Sequence, residues 1–560
     1  MTETPTSNNI RALNETQFAA NEMNPLDETQ SAQPPSFVAR VIDIPRKHPF
    51  VITLLAVALL YVLYLDGLST NPPGFYIDES AIAYNAYCIA HSGAGEFGNR
   101  FPLFFPVYTG GWTQYANPTQ IYLLAIPFTI FRPSILVARI FSATWVFAAC
   151  VLLGLLARRI SGQRRIGAIV GLTAILTPWL FDVSRLVMET YFYPMALVLF
   201  LFAVFRAQRK PNWNWPTVAT LAVTLTLLTY TYTSGRLLGP LMAAGLVLFA
   251  TSQPRLIGVI KTWAFYSLTL VPLLIFRSKH PEALTQRFYL ISYIKPDSPW
   301  REIVPRFIRR YLEDFSLISL LIDGDGNPRH HMPGSLGSFL IAAFILALIG
   351  LIVVIVRHWR EPWWQFVIFG AAVSIVPGAL TADQFHSLRI VAYPIFLLLL
   401  TIPALQFLLE PSQPTGGERT VEAETQTLVP TTSLALAPIA RQTILAVLLA
   451  GIALQAAYFQ RVFRREGADR GYVFDAAYKD VYDAAVALPN RPIYLIDGTQ
   501  PAYEHAYWYA QVEGRDHAEF VHLDEGRRAP AGTLVIGSQP NCGNCEIILK
   551  SGDYILYRSF

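Results

Sequence analysis

The chain has 560 residues, of which 53% are hydrophobic and only 15% charged, and its formal net charge is +4. A soluble domain carries about a quarter charged residues, so this composition excludes an ordinary soluble protein. The small net charge gives no indication of a nucleic-acid partner. The four cysteines are too few for a disulfide framework.

The first 45 residues are polar and lack the apolar core of a cleavable signal peptide. We interpret residues 1–45 as a disordered cytoplasmic tail. Apolar runs of about 20 residues then recur, and each is long enough to cross a bilayer. They predict an all-α polytopic membrane protein with about eleven transmembrane helices. We expect these near residues 49–66, 134–156, 166–182, 190–205, 215–232, 237–250, 257–276, 336–356, 363–380, 389–409 and 442–459.

The apolar run 118–131 is ambiguous because it is short and contains Pro127. Lys and Arg beside short loops mark the cytoplasmic side of a membrane protein. The basic clusters all fall on one side only if 118–131 does not cross, so we expect a juxtamembrane or half-inserted helix and a cytoplasmic N-terminus. Residues 461–470, also basic, are the exception. The clusters are Arg40/Arg46/Lys47, Arg158/Arg159/Arg164/Arg165, Arg206/Arg209/Lys210, Arg255/Lys261 and Arg357/Arg360.

This topology predicts three large external parts: a first loop at 67–133, a second loop at 277–335 and a C-terminal segment at 460–560. The C-terminal segment alternates strand-like runs, such as "RPIYLIDG", "GTLVIGS" and "YILYRSF", with the helical patterns "AYKDVYDAAVAL" and "AYEHAYWYAQ". We expect a small extracytoplasmic α/β domain there. Residues 410–440 are interpreted as a cytoplasmic linker and 441–459 as the last transmembrane helix.

Two adjacent carboxylates, Asp78 and Glu79, open a helical pattern in the first external loop. One interpretation is structural, with Asp78 as the N-cap and Glu79 in the first turn, where both charges favour the helix dipole. The other is catalytic: a carboxylate at a membrane surface can deprotonate an acceptor hydroxyl or amine. A second carboxylate beside it raises one pKa or positions the acceptor.

The order of motifs resembles the GT-C superfamily of integral-membrane glycosyltransferases, in particular bacterial protein O-mannosyltransferases and aminoarabinose transferases. A first span is followed by Asp-Glu at the start of an external helix. The resemblance covers about residues 48–410 and implies a transmembrane catalytic domain at 46–409. The other segments that carry it are "GNRFPLFFPVYTGGWTQYANPTQIYLLAIPFTIF", "SILVARIFSATWVF" with Arg139, "RRISGQRRIGAIVGLTAILTPWLFDVSRLVMETYFYP", "GDGNPRHHMPG" and "HSLRIVAYP".

The resemblance implies a mechanism. A polyprenyl-phosphate sugar would be the donor, an extracytoplasmic glycan, lipid or protein the acceptor, and Asp78 the general base, with Glu79 beside it. Attack would invert the anomeric carbon, and positive side chains would stabilise the departing phosphate. The resemblance implies no cofactor and no metal, although a divalent metal stays open. The location would be the bacterial cytoplasmic membrane.

Further candidates lie at the predicted external ends of helices. Arg185 and Glu189 are spaced i, i+4, which fits either a surface pair or a substrate-positioning pair. His386 and Arg389 are expected on one face at the start of the tenth span, where Arg389 either grips the donor phosphate or snorkels to headgroups.

The second external loop supplies Arg329, His330 and His331, as a loop folding over the donor or as a solvated loop. No third zinc ligand stands at a diagnostic spacing from the two histidines. Cys542 and Cys545 are expected to form a local disulfide, and Cys88 and Cys150 to be packing residues.

Two other classes of function compete with a glycosyltransferase. A transporter or lipid-carrier flippase would show charges at mid-membrane and inverted repeats. A non-enzymatic membrane scaffold gives no reason for the charged residues to gather on one side. The enzyme interpretation requires Asp78, Arg185 and Arg389 to surround one cavity.

Overall fold

The computed structural model describes residues 49–107, 114–410, 437–498, 503–523 and 526–560. The predicted tail at 1–45 and almost all of the predicted linker at 410–440 lie outside these residues. The chain from Val62 to Phe560 forms one compact unit.

A helix lies at each of the eleven positions expected to span the membrane. Five are long and apolar enough to cross on their own: Ile135–Ser161, Gln253–Lys279, Ile341–His358, Pro362–Ala379 and Pro438–Val473. A bent pair, Arg164–Leu176 and Pro178–Ser184, forms a sixth candidate. The shorter ones are Phe50–Leu65, Tyr193–Gln208, Trp215–Thr231, Gly235–Phe249 and Tyr393–Leu409. The chain is thus a multi-pass membrane protein, while the count of eleven crossings stays a prediction.

The helices at the second and third expected span positions pack through glycines. A Cβ atom added to Gly154 would lie 2.7 Å from the carbonyl oxygen of Gly167 and 2.9 Å from the Cα of Gly171. Small residues allow two membrane helices to approach closely enough for their backbones to touch. Helix Ile135–Ser161 is therefore fixed against helix Arg164–Leu176, and it carries Arg139 towards the first loop.

The bent pair changes direction by 60° at Thr177. Pro178 is the first residue of the second helix, and it has no N–H to continue the hydrogen-bond ladder of the first. Thr177 has an extended conformation, with φ −68° and ψ 122°. The break ends the expected continuous span 166–182 and directs the loop 185–192, which carries Glu189, towards the first external loop.

The first external loop contains two helices and a short hairpin. Strands β1 (Phe105–Val107) and β2 (Gln114–Ala116) pair antiparallel. Helix Pro118–Phe128 has 11 residues, which at a rise of 1.5 Å per residue is about half of the hydrocarbon thickness. This length agrees with a helix that does not cross. The other helix of the first loop is Ile77–Ser92. The second loop contains helices Gln286–Ile291 and Trp300–Asp314 and a π-helical turn at Ser319–Asp323.

The C-terminal segment forms the expected α/β unit around a five-stranded sheet. The strands are β3 (Ile493–Ile496), β4 (Phe520–Leu523), β5 (Leu534–Gly537), β6 (Cys545–Ser551) and β7 (Tyr554–Ser559). Their order in the sheet is β4-β3-β5-β7-β6, and helices Ala476–Ala487 and Tyr503–Glu513 pack on it. Strand β3 is parallel to β4 and to β5, whereas β7 is antiparallel to β5 and to β6.

The sequence patterns missed two of these strands, β4 and β6. Neither strand shows a clear alternation of apolar and polar residues. Strand β4 contains His522, and β6 lies at the edge of the sheet with most side chains partly or fully exposed. Cys542 and Cys545, just before and at the start of β6, are paired as a disulfide with Cα atoms 5.8 Å apart, so that expectation is confirmed. Cys150 is buried and Cys88 half-buried.

The first loop and the C-terminal α/β segment share one hydrophobic core. Trp508 stacks on Phe75 and on Phe128, with ring centroids 5.5 Å and 5.9 Å apart. Helix Tyr503–Glu513 lies against helix Ile77–Ser92 throughout this core. Residues that share a dry core must lie on the same side of the membrane, so the two segments do, whichever side that is.

Candidate active site

Helix Ile77–Ser92 begins two residues earlier than the sequence pattern indicates. Its N-cap is Tyr76, so Asp78 is not the cap but the second helical residue. Glu79, the third, accepts a hydrogen bond at 3.0 Å from the backbone N–H of Tyr76, as in a capping box. Consecutive helical residues point about 100° apart. The two carboxylates therefore face different surroundings.

Glu79 is a buried structural residue. It is fully shielded from solvent and forms an ion pair at 3.2 Å with Arg139, which is also buried. Its other oxygen accepts from the backbone N–H of Val187 at 3.0 Å. Arg139 also donates to the carbonyl groups of Pro72 and Gly74. The catalytic role expected for Glu79 is thus corrected: its carboxylate fastens the first loop to helix Ile135–Ser161.

Arg185 is likewise fixed in the structure, away from the cavity. It donates to the backbone carbonyl groups of Tyr64 and Asp66, the latter at 2.9 Å, and its guanidinium lies 4.2 Å from the ring centroid of Phe181. The helix ends at Ser184, so Arg185 and Glu189 do not form the expected helical pair. A substrate-binding role for Arg185 is therefore corrected.

The remaining predicted residues converge on one cavity of about 540 Å³. Elements far apart in the sequence meet there: the start of helix Ile77–Ser92, the loop 185–192, helix Gly235–Gly245, helix Gln286–Ile291 and the loops near 329 and 386. Its charged and imidazole lining comprises Asp78, Glu189, Arg236, Arg287, Arg329, His330, His386 and Arg389.

The cavity is electropositive, since four arginines face two carboxyl groups. Burial raises the pKa of the Asp78 carboxyl above its usual range, and the guanidinium groups of Arg287 and Arg329 only partly offset this. Burial alone would lower the pKa of Arg287, but the charges of Asp78 and Glu189 raise it instead. A carboxyl with a raised pKa and a set of fixed cations is suited to proton transfer beside an anionic ligand.

Glu189 is held by the N-terminus of the juxtamembrane helix. Asn117, the N-cap of helix Pro118–Phe128, donates to it through its backbone N–H at 2.5 Å and through its side chain at 2.8 Å. Arg236 in turn donates to the side-chain oxygen of Asn117 at 2.8 Å. Burial raises the pKa of Glu189, against these hydrogen bonds and nearby cations. The 118–128 helix thereby orients a wall of the cavity.

Arg329 and Arg389 reach the cavity from loops. Arg329 donates to the backbone carbonyl of Val473 at 2.9 Å, and its guanidinium lies 3.4 Å from the ring centroid of Tyr76. Arg389 pairs with Asp383 at 2.7 Å and donates to Thr381. His386 and Arg389 lie in turns before helix Tyr393–Leu409, not on its face, which corrects the expected helical placement.

Asp325, His330 and His386 form a group whose ligand atoms all lie within 4.8 Å of one another. Asp325 accepts from His330 at 3.1 Å and from the backbone N–H and hydroxyl of Ser387 at 2.7 Å each. Burial and the neighbouring His330 lower the pKa of His386, which keeps it neutral. Two imidazoles and a carboxylate are a zinc donor set, so these residues could hold a divalent cation.

His331, adjacent in sequence, belongs to a different contact: its Nδ1 lies 3.0 Å from the carboxylate of Asp182 and both residues are buried.

Two cavity arginines, Arg236 and Arg287, escaped the sequence interpretation. Arg236 lies between the expected spans 215–232 and 237–250, and Arg287 lies in the unpatterned run "TQRFYLISY" of the second loop. Arg236 is the only charged residue in the sequence between Lys210 and Arg255. A lone charge among apolar membrane segments is a signal of function, and Arg236 could have been found that way. Arg287 carries no such signal, because only the fold brings it to Asp78.

Comparison with solved structures shows the fold. The crystal structure of ArnT from Cupriavidus metallidurans in the apo state matches with a TM-score of 0.55 and 12% sequence identity, covering 91% of this chain and 98% of ArnT. The same protein bound to undecaprenyl phosphate matches with a TM-score of 0.53, at the same identity and coverage. No protein-family model and no curated protein sequence matches. The chain has the fold of ArnT, so the fold expected from the resemblance is confirmed.

Proposed function

We propose that this chain is a membrane glycosyltransferase that moves a sugar from a polyprenyl-phosphate donor to an extracytoplasmic acceptor, with Asp78 as the general base. The observation that carries the proposal is the cavity itself, in which Asp78 stands beside Arg287 and Arg329. Support also comes from the fold, because ArnT with that fold has been solved with undecaprenyl phosphate bound. The proposed location is the bacterial cytoplasmic membrane, with the cavity on its outer side.

The proposed reaction is a single displacement. Asp78 takes the proton of the acceptor hydroxyl or amine while the acceptor atom attacks the anomeric carbon of the donor. The bond between that carbon and the phosphate oxygen breaks, the electron pair stays on the phosphate, and the anomeric configuration inverts. The charge that develops on the departing phosphate is stabilised by the guanidinium groups, which can each offer two parallel donors.

The size of the cavity supports a sugar phosphate as the bound part of the donor. A volume of about 540 Å³ lies within the usual range of small-molecule sites, about 300–1,000 Å³. It suits a sugar and a phosphate but not a long polyprenyl chain. Tyr76, Tyr115 and Tyr232 line the same cavity, and aromatic rings are suited to packing against a sugar.

The competing functions fit the geometry less well. A flippase needs polar groups along a path through the membrane, whereas the cavity charges come from helix ends and loops. A scaffold has no use for a desolvated carboxyl among cations. The enzyme interpretation expected Asp78, Arg185 and Arg389 around one cavity. Asp78 and Arg389 line the same cavity, whereas Arg185 binds the backbone at the end of the first helix.

The test is mass spectrometry of glycolipids, glycans and glycoproteins from cells with and without the protein. We expect a glycosylated product only in the presence of the protein. Asp78→Asn keeps the size of the side chain but removes the base, and a general base contributes about 10²–10⁴-fold to a rate. The product should therefore vanish at equal membrane levels of the protein.

Asp66→Asn is the matched control, because Asp66 is exposed, pairs with Arg464 at the surface and does not line the cavity. It should leave the product unchanged. Wild-type product levels from Asp78→Asn would show that Asp78 is not the general base. Movement of undecaprenyl phosphate across proteoliposomes without any transfer would favour the flippase.

A further inference from the structure

The C-terminal α/β segment touches the backbone of the loop that leads to Asp78. A Cβ atom added to Gly74 would meet the carbonyl oxygen of Phe474 and would lie 2.7 Å from the Cα of Ala476. Gly74 also has φ +72°, a conformation that other residues rarely adopt. Both constraints select glycine, so the approach of the segment 474–476 to this loop is part of the fold.

Asp475 lies at this contact and joins the two parts. Its Oδ2 accepts from the backbone N–H of Ile77 at 3.2 Å, and its Oδ1 accepts from the hydroxyl of Tyr554 at 3.0 Å. His505 Nε2 lies 3.3 Å from Oδ2, and His505 Nδ1 lies 2.8 Å from the hydroxyl of Ser80. With the proton on Nε2, His505 donates to Asp475 and accepts from Ser80, which satisfies every member.

The network holds the turn of helix that carries Asp78 from both sides, at Ile77 and at Ser80. Ser80 and His505 are fully shielded from solvent. Asp475 itself has φ +52°, an unfavourable conformation for a residue with a side chain. Such a conformation persists when surrounding contacts over-determine it, and here the three hydrogen bonds do so.

We propose that Asp475 is a positioning residue for the Asp78 carboxylate, so that the C-terminal segment is part of the catalytic unit. It fixes the first turn of helix Ile77–Ser92 and places a second negative charge near Asp78. The effect of Asp475 on the pH dependence of the reaction rests on the proposed function. The anchoring of the helix does not, because it is independent of any reaction.

The charges around Asp78 support the electrostatic role of Asp475. The charged or titratable groups that act on Asp78 are Arg287, Arg329, Asp475 and Glu79, with the phenol of Tyr76 nearby. The two arginines favour its ionised form, and the two carboxylates oppose it. Burial raises the pKa of Asp475, but His505 and Tyr554 more than compensate and lower it, so Asp475 is ionised at neutral pH.

Asp475→Asn tests the charge, since asparagine keeps the size and an oxygen acceptor. Loss of a nearby negative charge makes Asp78 easier to ionise. The acid limb of the pH profile of kcat/KM should therefore move to lower pH, by roughly half a unit or more. A purely structural role would lower the rate without moving that limb. Asp480→Asn, an exposed carboxylate of the same segment that accepts from Ser551, is the matched control and should leave the profile unchanged.

Asp475→Ala tests the anchor by hydrogen–deuterium exchange of the intact protein in nanodiscs. The N–H of Ile77 loses its acceptor, so exchange in the first turn, residues 76–81, should become several-fold faster, with no change in Asp480→Ala. Equal exchange in Asp475→Ala and wild type would overturn the anchor, and an unmoved acid limb in Asp475→Asn would overturn the charge effect. If wild type transfers no sugar, the proposed function fails while the exchange result still decides the anchor.

Discussion

Asp78 and Glu79 are neighbours in the sequence but have separate roles in the structure. Helical geometry turns one carboxylate into the cavity and the other into the interior, where Arg139 neutralises it. The sequence could predict that this pair matters and that it opens a helix. It could not assign the two roles, because the partner that fixes Glu79 lies 60 residues away.

The first prediction concerns Glu79. Glu79→Gln keeps the acceptor for Tyr76 but leaves the buried guanidinium of Arg139 without a counter-charge. Breaking a buried ion pair by removing one partner costs about 3–5 kcal/mol, so the thermal midpoint of the purified protein should fall by several degrees. Glu546→Gln is the control, since its ion pair with Arg558 lies at the surface and exposed pairs contribute about 0–1 kcal/mol. Equal midpoints for the two variants would contradict the structural role.

The second prediction concerns Arg389. If it binds the donor phosphate, Arg389→Lys keeps the charge but loses the planar fork that grips two oxygens, and transfer should fall about tenfold or more. Arg301→Lys, at an exposed helix position outside the cavity lining, should change nothing. The measurement is steady-state kinetics with the donor varied. Snorkelling to headgroups alone predicts unchanged constants for both variants.

At the scale of elements, the third expected span, 166–182, shows what periodicity alone cannot supply. The apolar pattern runs continuously through this stretch, yet the helix breaks at Thr177 and turns by 60°. Pro178 is the local cause, and it is visible in the sequence. The direction of the turn is set by packing, and only that direction brings Glu189 to Asn117. Element positions were therefore predictable, whereas the cavity wall built by this break was not.

The third prediction concerns the contact between the first loop and helix Tyr503–Glu513, where the buried carboxyl groups of Glu96 and Glu504 act on each other. Burial raises the pKa of Glu96 to about 7, from 4.5 for the free group, and raises that of Glu504 well above its usual value. The folded protein therefore binds more protons than the unfolded chain. The contribution of this pair to the stability of the protein should be greatest below about pH 4.5 and should fall as the pH rises towards 7.

Glu504→Gln removes one of the two acids, so the thermal midpoint should rise at pH 8 and vary less between pH 5 and pH 8 than in wild type. Glu546→Gln, an exposed partner of Arg558 on strand β6, is the control and should keep the wild-type slope. A Glu504→Gln slope equal to that of wild type would show that the two acids are not coupled.

At the scale of the molecule, composition and apolar runs were sufficient to predict a multi-pass helical protein with a small C-terminal α/β part. The order of the motifs was sufficient to predict the fold, which the comparison with ArnT confirms. Six of the eight predicted site residues line one cavity. The roles of Arg287 and of the Asp475 network could not be predicted from the sequence, because they depend on contacts between segments that are 200 to 400 residues apart in the chain.

The fourth prediction concerns sidedness. Since the first loop and the C-terminal segment share a core, Arg100→Cys and Asp553→Cys should react with an impermeant thiol reagent from the same side of the membrane. Arg159→Cys, in a basic cluster between helices, should react only after the cells are opened. Each is introduced into a chain without the natural cysteines. Labelling of Arg100→Cys but not Asp553→Cys in intact cells would contradict the shared core.

The core that joins Phe75 and Phe128 to Trp508 also has a consequence for biosynthesis. The ribosome makes the first loop several hundred residues before it makes its packing partner. Until Trp508 and Asp475 have been synthesised, the part of helix Ile77–Ser92 that packs on helix Tyr503–Glu513 is uncovered, and its first turn lacks its anchor. The nascent chain thus carries Asp78 on an unfinished support, and the cavity is assembled only when the last part of the chain docks. Completion of synthesis is in this way coupled to the onset of the proposed activity.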